Sequence, residues 1–339
     1  MADKIETRDA YGAALEEYGS DERVVVLEAD LGECTQTVRF GAKYPERFFE
    51  IGIAEANMIG IAAGFATCGK IAVANTFAVF AAGRVYDQVR NSCAYPHLNV
   101  KIHGTNAGLT AAKDGATHQM FEDLSLMREI PGMTVLYPCD ANETREAVAA
   151  MLAHEGTVYL RTDHTPAEVV TNRIPSYHFE IGKAVTLRDG EDVTIIATGL
   201  MVQQALLAAV ALAEESIRAR VLDMHTIKPL DKEAVIRAAR ETGSIVTVEE
   251  HSINGGLGGA VAEVVVENCP VPMKRVGMQD VFGRSGAAQE LLDFYGLNAE
   301  HIVCAVKKII EKNSCDCRVS GKGRIPGGDG IIKQKEDWS

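Results

Sequence analysis

Short β-branched runs alternate with longer segments of helical period along nearly the whole chain, and few folds can satisfy that order. Arg23–Glu28 (RVVVLE), Met133–Tyr137 and Thr157–Leu160 read as buried strands. Ala141–His154 reads as a helix: Asp140 precedes it, Glu143 follows three residues on as in a capping box, and Gly156 lies just past its end. Alternation of this kind predicts mostly parallel sheets with helices on both faces, an α/β doubly wound architecture. The pattern lapses at Thr171–Tyr177 (TNRIPSY) and then resumes with a strand over Asp192–Thr198, a helix over Met201–Glu214, a strand over Ala219–Asp223, a helix over Lys232–Glu241 and a strand over Ser244–Glu249. The prediction is therefore two doubly wound domains, residues 1–170 and 178–312, joined by a linker at 171–177. Residues 313–339 are rich in Gly, Lys and Asp with no apolar period, and are expected to form a flexible tail.

A length of 339 residues suits two such domains. With 34 basic against 47 acidic residues the net charge is -13, which argues against nucleic acid or an anionic membrane as the main partner. A local basic pocket for a phosphorylated substrate stays open. No run is long and apolar enough to span a bilayer, and the N-terminal stretch MADKIETRDAYG lacks the apolar core of a signal peptide, so a cytoplasmic location is expected. The eight cysteines fall mostly in apolar segments and read as free thiols. Cys315 and Cys317 form a lone C-x-C without a second ligand pair nearby, and no metal site is predicted in this chain.

The segment most informative about chemistry is Phe48–Gly69 (FFEIGIAEANMIGIAAGFATCG). A strand ends near Ile53, and a helix rich in Gly and Ala begins about Glu55, its surface so small and apolar that it must pack closely against something. Glu55 then sits at the head of a buried helix, where desolvation favours the protonated carboxyl and suits it to sharing a proton with a nitrogen base. The plainer alternative is a first-turn glutamate satisfied by backbone N–H groups and the helix dipole.

Gly52-Ile53-Ala54-Glu55-Ala56-Asn57-Met58 resembles the G-I-x-E-x-x-M segment of the transketolase pyrimidine-binding domain. Further matches follow in order. Asn75-Thr76-Phe77-Ala78-Val79-Phe80 is similar to the family's aromatic segment, and Lys113-Asp114-Gly115-Ala116-Thr117-His118-Gln119 to its D-G-x-[ST]-H-Q loop. Upstream, Glu28-Ala29-Asp30-Leu31 resembles the turn whose aspartate lies near cofactor and substrate. Ile195–Gly199, His225–Asp231 and Val248–Gly259 resemble the family's C-terminal domain, so the likeness covers roughly residues 5–312.

The resemblance implies thiamine diphosphate as cofactor. Glu55 would bond N1′ of the aminopyrimidine and favour the imino tautomer that removes the thiazolium proton. Phe77 and Phe80 would wall the ring, Phe80 being the stacking residue, and Asp30 would lie beside it. His118 would act on substrate hydroxyls as a catalytic residue, with Asp114 contacting a hydroxyl. Arg8 and Arg161 would hold a sugar phosphate through paired hydrogen bonds, with a surface salt bridge as the alternative for each. The activity implied is transfer of a two-carbon glycolaldehyde unit from a ketose to an aldose.

Two features depart from the family pattern. The diphosphate is usually held through Mg2+ or Ca2+ by a G-D-G motif with a later Asn, and the one G-D-G here, Gly328-Asp329-Gly330, stands too close to Ser339 to be it. An N-terminal diphosphate-binding transketolase subunit is therefore the expected partner, in an α2β2-type assembly with the metal mainly on that partner. Relatives also commonly carry a histidine where this chain has Asn106, within Gly104-Thr105-Asn106-Ala107-Gly108, so a different sugar, with a different anionic group, is expected. The β subunit of a 2-oxoacid dehydrogenase and a non-catalytic scaffold on the same fold are the competing readings.

Overall fold

The β-branched runs do become strands, and the strands pair into three sheets. In this computed structural model residues 4–175 and 177–319 are described. The first half supplies β1 (Lys4–Ile5), β2 (Val24–Glu28), β3 (Phe48–Glu50), β4 (Ile71–Phe77), β5 (Val100–Thr105), β6 (Thr134–Leu136), β7 (Val158–Arg161) and β8 (Ala167–Glu168). The second half supplies β9 (Val185–Arg188), β10 (Val193–Ala197), β11 (Ala219–Asp223), β12 (Thr226–Lys228), β13 (Ile245–Ser252) and β14 (Met273–Met278).

Seven strands form the larger sheet in the order β12-β6-β7-β5-β4-β2-β3, parallel throughout except for β12. The smaller sheet runs β14-β13-β10-β11-β9, with β9 alone antiparallel, and β1 pairs separately with β8. Strand β12 comes from the second half of the sequence yet closes an edge of the first sheet. The two halves are therefore interlocked, which periodicity alone does not reveal.

Packing reinforces that link. One apolar core joins Ile102, Met127 and Tyr137 of the first half to Ile196, Leu222 and Val261 of the second. Gly199 shows how closely the halves meet: its φ is +54°, and a Cβ there would stand 2.0 Å from Cζ of Tyr137. Only glycine fits both the conformation and the space.

The capped helix is Ala141–Ala153, with the Asp140 side chain accepting from the Glu143 N–H at 2.8 Å. The same carboxylate takes the N–H groups of Val170 and Thr171, both at 2.8 Å. The segment read as a linker holds a short 3-10 turn, Thr171–Arg173. The last helix, Ala299–Val319, continues past Lys312 into the segment expected to be a tail. Residues 320–339, with Gly328-Asp329-Gly330, lie outside the described residues, as do the side chains of Cys315 and Cys317.

Candidate active site

Parallel strands present their carboxyl ends on one edge of a sheet, the place where doubly wound folds gather ligand-binding loops. Asp30 follows β2, Glu55 follows β3, Phe77 ends β4, and Asn106, Asp114 and His118 follow β5. The topology thus brings residues from distant parts of the chain to one edge.

Glu55 is the first residue of the helix Glu55–Thr67 and is 2% exposed. Its two carboxylate oxygens accept from the same nitrogen, Nη1 of Arg84, at 2.7 and 2.8 Å. The Arg84 guanidinium carbon also lies 4.0 Å from the centroid of the Phe80 ring. Phe77 and Phe80 are near-parallel with centroids 6.2 Å apart, and the His118 ring meets both edge-on, at 6.2 and 5.6 Å. Glu55, Arg84, Phe80, Phe77 and His118 therefore form one continuous group. Arg84 lies in a run of wide, π-helical turns, Val79–Arg84, a distortion that often marks functional positions.

The loop carrying Asp114 and His118 is braced from several sides. Gly108–Asp114 is a 3-10 segment in which Ala112 has φ 54° and ψ -110°, a sterically costly conformation for alanine. The Gln119 side-chain amide donates to the carbonyls of Ala112 and Arg284, at 3.3 and 2.9 Å. Thr110 N–H donates to Glu250 at 2.7 Å. The His118 ring is half-buried, with Nδ1 3.0 Å from the Thr117 hydroxyl.

Asp30 is exposed at a left-handed turn (φ 62°), its N–H donating to Glu50 at 2.8 Å. Beneath it Glu28 is fully buried and accepts from the hydroxyls of Thr35 and Thr37, each at 2.6 Å. Burial pushes the Glu28 carboxyl up to about 7, against the pull of those hydroxyls.

Arg8 is mostly enclosed: Nε donates to Glu6 at 2.6 Å and Nη1 to the Cys34 carbonyl at 3.2 Å. His164 lies in the field of both Arg8 and Asp114; burial, then Arg8, lower its pKa. Asn106 is 3% exposed at φ 54°, and its amide oxygen accepts from Thr105 at 3.3 Å.

Arg161 does not join these residues at the surface. It is fully buried, donates to Asp123 at 2.9 Å and to the Glu250 carbonyl at 2.7 Å, and lies 4.4 Å from the Tyr137 ring. The contact observed is an ion pair within the interior, not the surface salt bridge raised as the alternative.

Arg84, Glu28 and Glu250 were not signalled as site residues. The sequence does hold one clue for Arg84: it follows Phe80 by four residues, the spacing that puts two side chains on one helical face.

The arrangement fits a flat group with nitrogen donors on its edge. The guanidinium is such a group, and it finds a buried carboxylate at its edge and an aromatic face beneath it. An aminopyrimidine has the same needs. Among the described residues one grouping has metal-ligand types, the buried Cys139, Glu143 and Asp223. There burial, then proximity to Glu143, pushes the Asp223 carboxyl far up, as expected of a carboxyl that keeps its proton within the protein interior.

A doubly wound chain with a buried helix-head glutamate and an aromatic wall at its strand ends belongs to the pyrimidine-binding class. Comparison with known proteins gives the family. Residues 3–166 match the transketolase pyrimidine-binding domain and residues 182–302 the transketolase C-terminal domain. The chain belongs to the transketolase family, which uses thiamine diphosphate.

Over 308 residues it is 48% identical to the 6-deoxy-6-sulfo-D-fructose transketolase subunit SqwH of Clostridium sp. (strain MSTE9), covering 91% of this chain and 95% of that one. It is 49% identical over 307 residues to a putative transketolase C-terminal section of Methanocaldococcus jannaschii, covering 90% and 95%. A solved structure described as a split gene transketolase, inactive beta4 tetramer, superposes with a TM-score of 0.84 at 50% identity, over 91% of this chain and 99% of that one. Like these relatives, the chain is a transketolase subunit.

Proposed function

We propose that this chain forms the pyrimidine side of a divided transketolase active site and works only with an N-terminal, diphosphate-binding subunit in an α2β2-type assembly. The observation that carries the reading is Glu55, buried at a helix head and facing a flat cationic donor stacked on Phe80. In the assembled enzyme Glu55 holds the pyrimidine edge and keeps a proton at its N1′. Phe80 supports the ring face, Phe77 backs Phe80, and Asp30 lies at the neighbouring strand end. When bound, thiamine diphosphate would supply the carbon nucleophile needed to move a glycolaldehyde unit from a ketose to an aldose. Mg2+ or Ca2+ sits mainly with the partner's diphosphate site, and the assembly works in the cytoplasm.

His118 stands beside both phenylalanines, where its half-buried ring reaches substrate hydroxyls and moves protons at them. Asp114, five residues from Leu109 on the braced loop, binds a sugar hydroxyl. Arg8, with His164 close by, faces the anionic end of the sugar. Arg161 acts in this reading by holding Asp123 and the Glu250 backbone in place, not by touching substrate.

We propose further that the sugar is not the ordinary pentose phosphate pair. Asn106 replaces an imidazole with a neutral amide, and a relative at 48% identity carries 6-deoxy-6-sulfo-D-fructose in its name. The decisive experiment assays the chain alone and then mixed with the diphosphate-binding subunit, thiamine diphosphate and Mg2+. Donors would be xylulose 5-phosphate, fructose 6-phosphate and 6-deoxy-6-sulfofructose. Glycolaldehyde transfer in the mixture alone supports the divided site; transfer by the chain alone overturns it. Decarboxylation of a 2-oxoacid instead would move the chain to the dehydrogenase branch. If the assembled wild type uses xylulose 5-phosphate and ribose 5-phosphate as well as an Asn106→His variant does, the altered sugar preference fails.

A further inference from the structure

The contact between Arg84 and Glu55 calls for an account that the divided-site reading does not supply. Glu55 is 2% exposed, and a buried carboxylate without a partner is costly, so the chain without cofactor needs a counter-ion at this point. Arg84 supplies it, one nitrogen donating to both oxygens at 2.7 and 2.8 Å while the guanidinium carbon lies 4.0 Å from the Phe80 centroid. The edge of Glu55 and the face of Phe80 are the two surfaces assigned to the pyrimidine ring above. Two flat groups cannot hold both at once.

We infer that Arg84 is a resident stand-in for the cofactor ring: it satisfies Glu55 and covers Phe80 while the site is empty, and swings away when the ring enters. The inference rests on the divided-site reading. Its geometry favours the exchange. The Arg84 side chain is 47% exposed although the Glu55 side chain is 3% exposed, so the guanidinium is already half in water and needs little rearrangement to leave. Gly83, beside it, is solvent-exposed, and a Cβ placed there would meet nothing within 4 Å, so the outer side of this turn is open. Loading the site then trades one charged pairing of Glu55 for another. Net affinity for the cofactor is the difference between the two, and Arg84 lowers it while protecting the empty site from a bare buried charge.

The test is calorimetric titration of thiamine diphosphate with Mg2+ into the chain assembled with its diphosphate-binding subunit. Arg84→Met removes the donors and keeps much of the apolar stem; Arg84→Lys keeps the charge and loses the flat stacking group. Arg84→Met is expected to bind the cofactor about tenfold more tightly than wild type, with Arg84→Lys between them. In parallel, the rise in unfolding temperature on adding cofactor should be larger for Arg84→Met, whose empty site leaves Glu55 unpaired. If Arg84→Met fails to fold, the tightening in Arg84→Lys carries the test alone. Equal or weaker binding by the folded variants, with wild type binding normally, overturns the stand-in and leaves the divided site intact. Failure of the wild-type assembly to bind thiamine diphosphate overturns both.

Discussion

The Glu250 carboxylate, on β13, accepts a 2.7 Å hydrogen bond from the backbone N–H of Thr110, which opens the loop carrying Asp114 and His118. A residue of the second half thereby braces a loop of the first across 140 positions of sequence. Removing the acceptor leaves a buried N–H unsatisfied, a loss of about 1–3 kcal/mol. In the assembled enzyme Glu250→Ala should raise KM for the ketose about tenfold or more and leave thiamine diphosphate affinity within about twofold of wild type. Steady-state kinetics and cofactor titration check this together. Equal losses in both would mean that Glu250 serves only to keep the chain folded.

Arg161 presents a different case. It pairs with Asp123 where neither side chain has any exposure. Replacing it with methionine strands the Asp123 charge in the interior, a change costing about 3–5 kcal/mol. Denaturant unfolding of Arg161→Met should show that loss, and Asp123→Asn in the same chain should recover part of it. A variant of wild-type stability with impaired sugar-phosphate binding would return Arg161 to the substrate site.

Glu249 supplies a pH dependence of stability. It accepts from the N–H groups of Leu257 and Gly258, both at 2.7 Å, yet burial outweighs these bonds and raises its pKa from 4.5 to about 7. The folded state therefore keeps a proton that the unfolded state releases between those values. Its share of stability is whole below pH 4.5 and is lost as pH rises through about 7. Glu28, raised to about 7 by burial, acts in the same sense. Unfolding free energies at pH 5.5 and 8 should fall more steeply for wild type than for Glu249→Gln, by on the order of 1–3 kcal/mol. Parallel trends would show that Glu249 does not titrate in this window.

Much of this was legible before any coordinates. Strands such as Val24–Glu28 and Ala219–Asp223 follow from β-branched runs, and the helix at Met201–Glu214 from its period, because local pattern decides which faces can be buried. The place of β12 in the first sheet was not legible, since a three-residue strand has no period and its partner β6 lies far back in the chain. The site divides likewise. Glu55, Phe77, Phe80 and His118 lie on segments with recognisable spelling, and the structure gathers them. The pairings of Arg84 with Glu55 and of Glu250 with Thr110 are long-range and are not encoded by local spelling, though the spacing of Arg84 from Phe80 is a local clue, and the enclosure of Arg161 depends on Asp123 and β13 closing over it.

Phe77 and Phe80 look equivalent in sequence and differ in packing. Phe77 is 8% exposed, at the end of a fully buried strand, while Phe80 is half-buried with the Arg84 guanidinium over its ring. Truncating the first empties part of the core; truncating the second removes a wall of the proposed pyrimidine site. Phe77→Ala should therefore lower unfolding free energy by about 3 kcal/mol or more. Phe80→Ala should cost less stability but weaken thiamine diphosphate binding by the assembled enzyme about tenfold, from lost stacking and buried area. Calorimetric unfolding and cofactor titration of both variants would read the two effects separately. The reverse assignment, with affinity lost at Phe77 and stability at Phe80, would place the ring against the other phenylalanine and require Glu55 to meet it from a different side.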